Sequence, residues 1–423
     1  MSPWWLLSAL VVALSLALGL GPIPKAAATE LADVHLTLLD ENVIHYATFQ
    51  SHNQKVVARG SEIYTAHLRT RNDEYTAQTW RLSRSDDGGK TFHTMCEETL
   101  GTNPPVLEID TAGNLYLIRV DFPSQAAFLD RWPSDAARDI TGRTTTRIPN
   151  AAAGKYAAML DEARGQIYFF SHNNTFHRLR RDGTLIDSVT LLKEGPNGIL
   201  QYPQLALDDR GQLHLAWTTQ KHGVYLYWDI HHMLSTDGGS TFRTMEGASL
   251  EPPIVADDTG PSTRISLDDE MEVHTWLSSS LARDGKWHGL YLAQTTPPRQ
   301  HYVRYDMATG RRQIDRQPEL RGDQIRLQGL DGFFVADRAD PRRLYIVGND
   351  RGHLAALRSD DGGITWHDHA RCDTRLSLYS IGGYRWTTEN GDLVGTVTDQ
   401  VAPESTSDAR SRVYFFRVRG KAE

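Results

Sequence analysis

Among the residues of this 423-residue chain whose side chains can transfer protons, three stand out as catalytic candidates: His52, His172 and Tyr202. An imidazole can take a proton and a phenol can give one. A second set could bind and orient a ligand for them: Asn53, His67, Arg69, Arg119, Lys155, Tyr156, Gln204, Lys221, His222, Arg264, Tyr384 and Arg385. Gathered in a concave site, basic groups of this kind pair with a carboxylate or a sulfate. On a uronic acid the resulting chemistry is β-elimination. A cation neutralises the sugar carboxylate and so acidifies the adjacent C5 hydrogen. A Tyr or His removes that proton, and a second group protonates the leaving oxygen. The expected partner is an acidic polysaccharide or oligosaccharide. No cofactor and no carboxylate pair is required, and a structural metal ion stays an open question.

These residues are spread over more than 300 positions, so the fold must bring them together, and internal repeats indicate which fold. "SDDGGKTF" from Ser85, "STDGGSTF" from Ser235 and "SDDGGITW" from Ser359 share the pattern Ser-x-Asp-x-Gly-x-Thr-aromatic. The pattern suits a hairpin turn: the Asp accepts backbone N–H groups, Gly supplies positive φ, and the aromatic ring re-enters the core. A second repeat puts a turn before an apolar strand, with matches aligned on Ile63, Leu115, Ile167, Leu213, Val273, Leu344 and Leu393. Seven matches predict an all-β, seven-bladed β-propeller of four-stranded antiparallel blades, with six blades as the alternative. Only "SRVYFFRV" follows the last match, so "DVHLTLLD" near residue 34 is expected to complete the final blade and close the ring.

In such a blade the innermost strand precedes the matched strand, and its start shares a face of the disc with the matched strand's end. Blade one then brings His52, Asn53, His67 and Arg69 to that face, blade two Arg119, and blade three Lys155, Tyr156 and His172. Blade four brings Tyr202, Gln204, Lys221 and His222, blade five Arg264, and blade seven Tyr384 and Arg385. Any one of these residues could instead be an ordinary solvated or hydrogen-bonding group at a strand tip.

Composition narrows the setting. The net charge of −8 argues against nucleic acid as a partner. The apolar run from Trp4, followed by "PIPKAAATE", reads as a signal peptide over residues 1–28 and predicts a secreted or periplasmic protein with no membrane contact after cleavage. The alternative is an uncleaved anchor, because no Lys or Arg precedes the run. Residues 29–423 are then a single propeller domain. Two cysteines, Cys96 in blade one and Cys372 in blade six, exclude a disulfide scaffold and are expected as free thiols. "WDIHHML" places Asp229 beside His231 and His232, a conceivable metal site, although such residues are more often hydrogen-bonded within a sheet.

The three turns are Asp boxes, and through them the chain resembles the BNR or sialidase-like β-propeller superfamily. "SHNQKVV" followed by "IYTAH", and later "YPQLALDDRGQLHLAWTTQKHG", are similar to the corresponding blades of propeller polysaccharide lyases of the ulvan-lyase type. That resemblance implies a secreted lyase, with His52 in the histidine role and Tyr202 in the tyrosine role. It also implies a second histidine and an arginine. Here His67 falls a few residues early, and Lys221 or His222 stands where the arginine would be. The superfamily includes exo-sialidases as well, which need three arginines, a Tyr nucleophile and an acidic proton donor. Arg147-Ile-Pro149 has the form of a sialidase motif but falls between blades two and three. Arg264, Arg385, Tyr384 and Glu389 would supply part of that set, yet "SHNQ" stands where the Asp acid belongs. A non-catalytic propeller that binds a glycan or a protein is the third reading.

Overall fold

The computed structural model describes residues 31–420, apart from 70–77, 102, 225, 258–261, 267–272, 296–298, 317–318, 321–322, 325–326 and 401–410. Residues 1–28, read above as a signal peptide, lie outside the described residues. From Leu31 the chain forms one unit, in which the described residues make seven antiparallel sheets of four or five strands and two further two-stranded sheets. Blade one runs Val56–Arg59, Glu62–Arg69, Gln78–Ser85 and His93–Gly101, and blade two Val106–Ile109, Leu115–Asp121, Ala126–Trp132 and Thr144–Ile148. Blade three comprises Ala157–Asp161, Gln166–Phe170, Thr175–Arg180 and Leu185–Thr190. Blade four comprises Gly198–Leu207, Leu213–Lys221, Tyr227–Ser235 and two short outer strands. Blades five and six begin at Thr275–Arg283 and Leu327–Ala336, and blade seven at Leu378–Gly383. The first strand of each blade faces the axis, and these seven strands neighbour one another around the ring.

Ring closure follows the expected route. Val34–Val43 pairs antiparallel with Ser411–Val418, from Val34 opposite Val418 to Val43 opposite Ser411, and completes blade seven. Blade five departs from the sequence reading. "EMEVHTWL" leads into the innermost strand, Thr275–Arg283, and the second strand is Lys286–Ala293. The two are joined by an Asp284-Gly285 hairpin with φ of 49° and 64°, which "RDGK" encodes directly. The blade count survives because each blade still contains one match.

Strands sandwiched between two neighbouring blades are buried on both faces, which is why they read as apolar runs without clean alternation. In Leu115–Asp121, for example, the first four residues are all buried. The apolar clusters accordingly lie between blades, such as the one joining Phe170 and Phe176 of blade three to Leu213, Leu215 and Trp217 of blade four.

The three Ser-x-Asp-x-Gly turns connect the third strand to the fourth in blades one, four and six. In the first, Ser85 Oγ accepts from Gly89 N at 2.8 Å, Asp87 Oδ1 accepts from Thr91 N at 3.0 Å, and the Thr91 hydroxyl donates to Asp87 Oδ2 at 2.7 Å. The other two repeat these bonds. The second glycine, at φ +88°, +88° and +83°, lies against a ring of the preceding blade: Gly89 on Phe415, Gly239 on Phe176, Gly363 on Tyr302. A Cβ at any of these glycines would overlap that ring. Cys96 and Cys372 are buried free thiols in blades one and six.

Gly239→Ala is therefore expected to combine left-handed backbone strain with displacement of Phe176, at a cost of about 2–4 kcal/mol. Gly60→Ala, at φ +59° with nothing within 4 Å of the new methyl, carries the backbone cost alone, about 1 kcal/mol. Thermal unfolding of the two variants should separate them in that order; equal losses would refute the docking role of the turn.

Candidate active site

At the face expected to hold the chemistry, Lys155 enters ahead of the innermost strand of blade three and stands among aromatic rings. Its Nζ lies 4.0 Å from the centroid of Tyr202 and 5.5 Å from that of Tyr227. It donates to Gln201 Oε1 and, at 3.3 Å, to the Tyr227 hydroxyl. Trp276 packs 4.2 Å from Tyr202, and Phe49 closes the group edge-on to Tyr202 at 5.7 Å. Burial brings the Lys155 ammonium down to about 8. The His172 ring rests against Gly154, and burial, followed by the charge of Lys155, lowers its pKa, so the imidazole is neutral at pH 7. His274 borders the group, its ring 5.0 Å from Tyr227.

The backbone explains why Lys155 is held there. Asn103 Nδ2 donates to Gly154 O at 2.7 Å and Asn53 Nδ2 donates to Tyr156 O at 2.7 Å, so the carbonyls on either side of Lys155 are both fixed. Gln50 bridges the two asparagines, at 3.2 Å to Asn103 and 2.9 Å from Asn53. The Tyr156 hydroxyl donates to Pro104 O and Ile118 O, at 3.1 and 3.0 Å. Tyr202 follows a different device: the pairing of blade four's first two strands slips between Gln201 and Gln204, and Tyr202 takes φ 49°. A bulge with a non-glycine residue in the left-handed region re-aims a side chain at a local cost, a feature that clusters at functional sites.

Of the residues singled out in the sequence, the structure brings together Lys155, Tyr202 and His172. Several others are structural. Asn53 and Tyr156 hold the Lys155 backbone, and the buried Gln204 donates to Leu277 O at 2.9 Å across the seam between blades four and five. His67 and Arg69 turn to the closing strand, where Asp40 Oδ2 lies 3.4 Å from His67 Nε2 and 2.6 Å from Arg69 Nε. Arg119 is held by Asp130 at 2.6 Å and stacks on Phe128 at 4.6 Å. Lys221 covers the Trp228 ring at 5.0 Å, and His222 Nε2 lies 2.8 Å from Gly195 O. Arg264 pairs through its backbone with His231.

Tyr384 and Arg385 are corrections, because they follow the innermost strand of blade seven and so lie toward the opposite end of the axis. His52 is half-buried and lines the axial cavity, and the described contacts do not join it to Lys155. Burial and the charge of Lys55 push its imidazole down to about 3. Arg147 is a further correction: it lies in the outermost strand of blade two rather than a loop, exposed at the rim. His231 and His232 are buried sheet residues. His231 bonds Thr263 and His232 bonds His214, each at 3.0 Å, and the described residues contain no cluster of three metal-ligating side chains.

Sequence reasoning missed Phe49, Tyr227, His274 and Trp276. His274 and Trp276 were hidden by the strand shift in blade five; the "DG" turn after them was the signal that would have moved them to the channel mouth.

No protein-family model matches the chain. Among curated proteins, a glutamate–tRNA ligase of a Nocardioides strain is 28% identical over 97 residues, which span 23% of this chain and 19% of that protein. Among solved structures, the chain is similar to a PL25 ulvan lyase bound to -[GlcA(1-4)Rha3S]-, with a TM-score of 0.63 and 14% identity over 92% of this chain and 96% of that one. A second polysaccharide lyase superposes with a TM-score of 0.62 at 9% identity, covering 92% of this chain and all of that one. These likenesses establish the seven-bladed propeller fold.

Lys55, in the segment that leads from His52 into blade one, is fully buried, and its Nζ has no hydrogen-bond partner among the described residues. Burial drives its pKa well below the ordinary value. The folded state then binds fewer protons than the unfolded one, so stability rises with pH until the unfolded lysine also deprotonates. Lys55→Met is expected to raise the unfolding temperature at pH 7 and to flatten its alkaline rise. A lower midpoint at both pH 7 and pH 10 would refute this.

Proposed function

We propose that the protein is a secreted or periplasmic lyase that cleaves uronic-acid-containing polysaccharides by β-elimination at the Lys155 site. The observation that carries this reading is a half-buried ammonium, desolvated against aromatic faces, beside a neutral histidine. Such a cation is poorly hydrated, so it gains more from a sugar carboxylate than a solvated lysine would. The rings around it suit the apolar face of a pyranose. Lys155 pairs with the C6 carboxylate and acidifies C5. The neutral His172 imidazole takes the C5 proton, the C–H electrons become the C4–C5 double bond, and the C4–O bond breaks. The Tyr202 hydroxyl protonates the departing oxygen. Asn53 acts as a positioning residue through the Lys155 backbone. The similarity in fold to polysaccharide lyases, one of them bound to a glucuronate-containing sugar, supports the substrate class, and so does the Asp-box resemblance of the turns.

Incubation with a panel of uronic-acid polysaccharides is expected to raise the ultraviolet absorbance of the new double bond. Lys155→Ala, His172→Ala and Tyr202→Phe should each reduce the rate by about 10²-fold or more. Cleavage of a fluorogenic sialoside instead would replace the lyase by a glycosidase, and silence on both substrate classes would leave a binding protein.

The reaction needs His172 neutral and Lys155 charged. Activity should therefore persist somewhat below pH 6.5 on the acid side, because the His172 pKa is lowered, and fall above about pH 8 as Lys155 loses its proton. Lys155→Arg keeps the charge and should move the alkaline limb upward. An unmoved limb in that variant would remove Lys155 from the mechanism.

A further inference from the structure

Beyond the Lys155 mouth, the axis contains a cavity of about 460 Å³, bounded mainly by the far ends of the innermost strands. That is within the size range of small-molecule sites, roughly 300–1,000 Å³. The lyase chemistry uses none of its residues. Arg59 and Glu389 mark its rim, and both are exposed. Deeper in, Glu108 and Arg385 are already matched, whereas the exposed Arg338 bonds neutral oxygens only. Arg385 pairs with Glu108 at 2.5 Å, Gln54 Nε2 donates to Glu108 at 3.2 Å, and Arg338 donates to the Tyr384 hydroxyl and, at 2.7 Å, to Thr387 O. The half-buried Trp386 and the buried Phe333 and Phe334 add apolar wall. One polar atom in the lining stands alone: the buried Nε2 of His52 has no hydrogen-bond partner among the described residues.

We infer that this cavity is a binding site for a neutral saccharide of one or two rings, separate from the site that acts on the acidic chain. An ionic ligand seated on Glu108 or Arg385 would have to break their half-buried pair, which is costly because one charge would be left uncompensated. A hydroxyl is both donor and acceptor, so it fits between a carboxylate and a guanidinium that are already paired, and it satisfies an orphaned imidazole nitrogen. The aromatic wall accepts the apolar face of a sugar ring. A paired carboxylate and guanidinium, one unsatisfied nitrogen and aromatic rings, all lining one cavity, favour polyhydroxylated neutral ligands over anions.

Cellobiose is the probe. Titrated into the full chain and followed by calorimetry and tryptophan fluorescence, it is expected to bind saturably with a Kd on the order of 1 mM. Ser280→Phe, which adds a ring at a half-buried position of the lining, should weaken binding about tenfold or more. Glu389→Ala removes an exposed acceptor at the rim, should weaken binding in the same direction, and carries the test if Ser280→Phe does not fold. An excess of glucuronate should leave the isotherm unchanged. Absence of saturable binding, full affinity in the variants, or displacement by glucuronate would each overturn the inference. Binding is read without turnover, so failure of the lyase assays does not bear on it.

Discussion

Every blade of this ring needs a neighbour on both faces, so the structure depends on the one seam where the two ends of the chain meet. Asp40 on the closing strand carries much of that seam. Its Oδ2 lies 2.6 Å from Arg69 Nε and 2.9 Å from Arg81, and 3.4 Å from the buried His67, all three in blade one. Burial works against the carboxylate, yet the His67 and Asn42 hydrogen bonds and the arginine charge hold its pKa down to about 2. The pairing of Val34 with Val418 is among the most sequence-distant contacts the chain can make, so its loop-closure entropy is recovered only when both terminal segments are in place.

The same constraint explains the character of the channel mouth. Once the ring is closed, the amides of Gln50, Asn53 and Asn103 meet across blades one to three and fix the backbone on either side of Lys155. The lysine is rooted in a fixed backbone, and the rings of blades four and five close around its ammonium. Its reactivity is thus a product of ring geometry: five blades contribute to one cation's surroundings. No single segment of the sequence could create it.

That is also why the fold was easier to read than the site. The turn motifs, the apolar strand repeat and the unpaired last strand are local signals, and they survive in the structure with the blade-five match as the exception, including the route of closure. Side-chain destinations are set by neighbours that the sequence does not place. His67, Arg69 and Arg119 lie near strand ends and looked free, and instead they contact Asp40, Glu97 and Asp130. Asn53 and Gln204 looked like ligand-binding amides and instead cap backbone carbonyls of the next blade or the one beyond. Trp276 and His274 were assigned to the wrong strand because the blade-five match fell one strand early. Lys155 and Tyr202 were legible because they lie near the starts of innermost strands, and His172 because it follows the second strand of blade three, whose end reaches the same face.

The glycine turns dock at only three of the seven seams: blade seven to one, three to four, and five to six. The other four are each crossed by an arginine. Arg119 reaches Glu98 between blades one and two, Arg181 reaches Asp110 between two and three, Arg283 reaches Asp209 between four and five, and Arg338 reaches Tyr384 between six and seven. Packing against a ring is indifferent to ionic strength, whereas partly exposed charge pairs weaken as salt screens them. The disc is therefore mechanically uneven. In brine the Arg119, Arg181 and Arg283 pairs would loosen while the apolar clusters between blades keep their hold, so blade two, flanked by two of those pairs, would feel the change most.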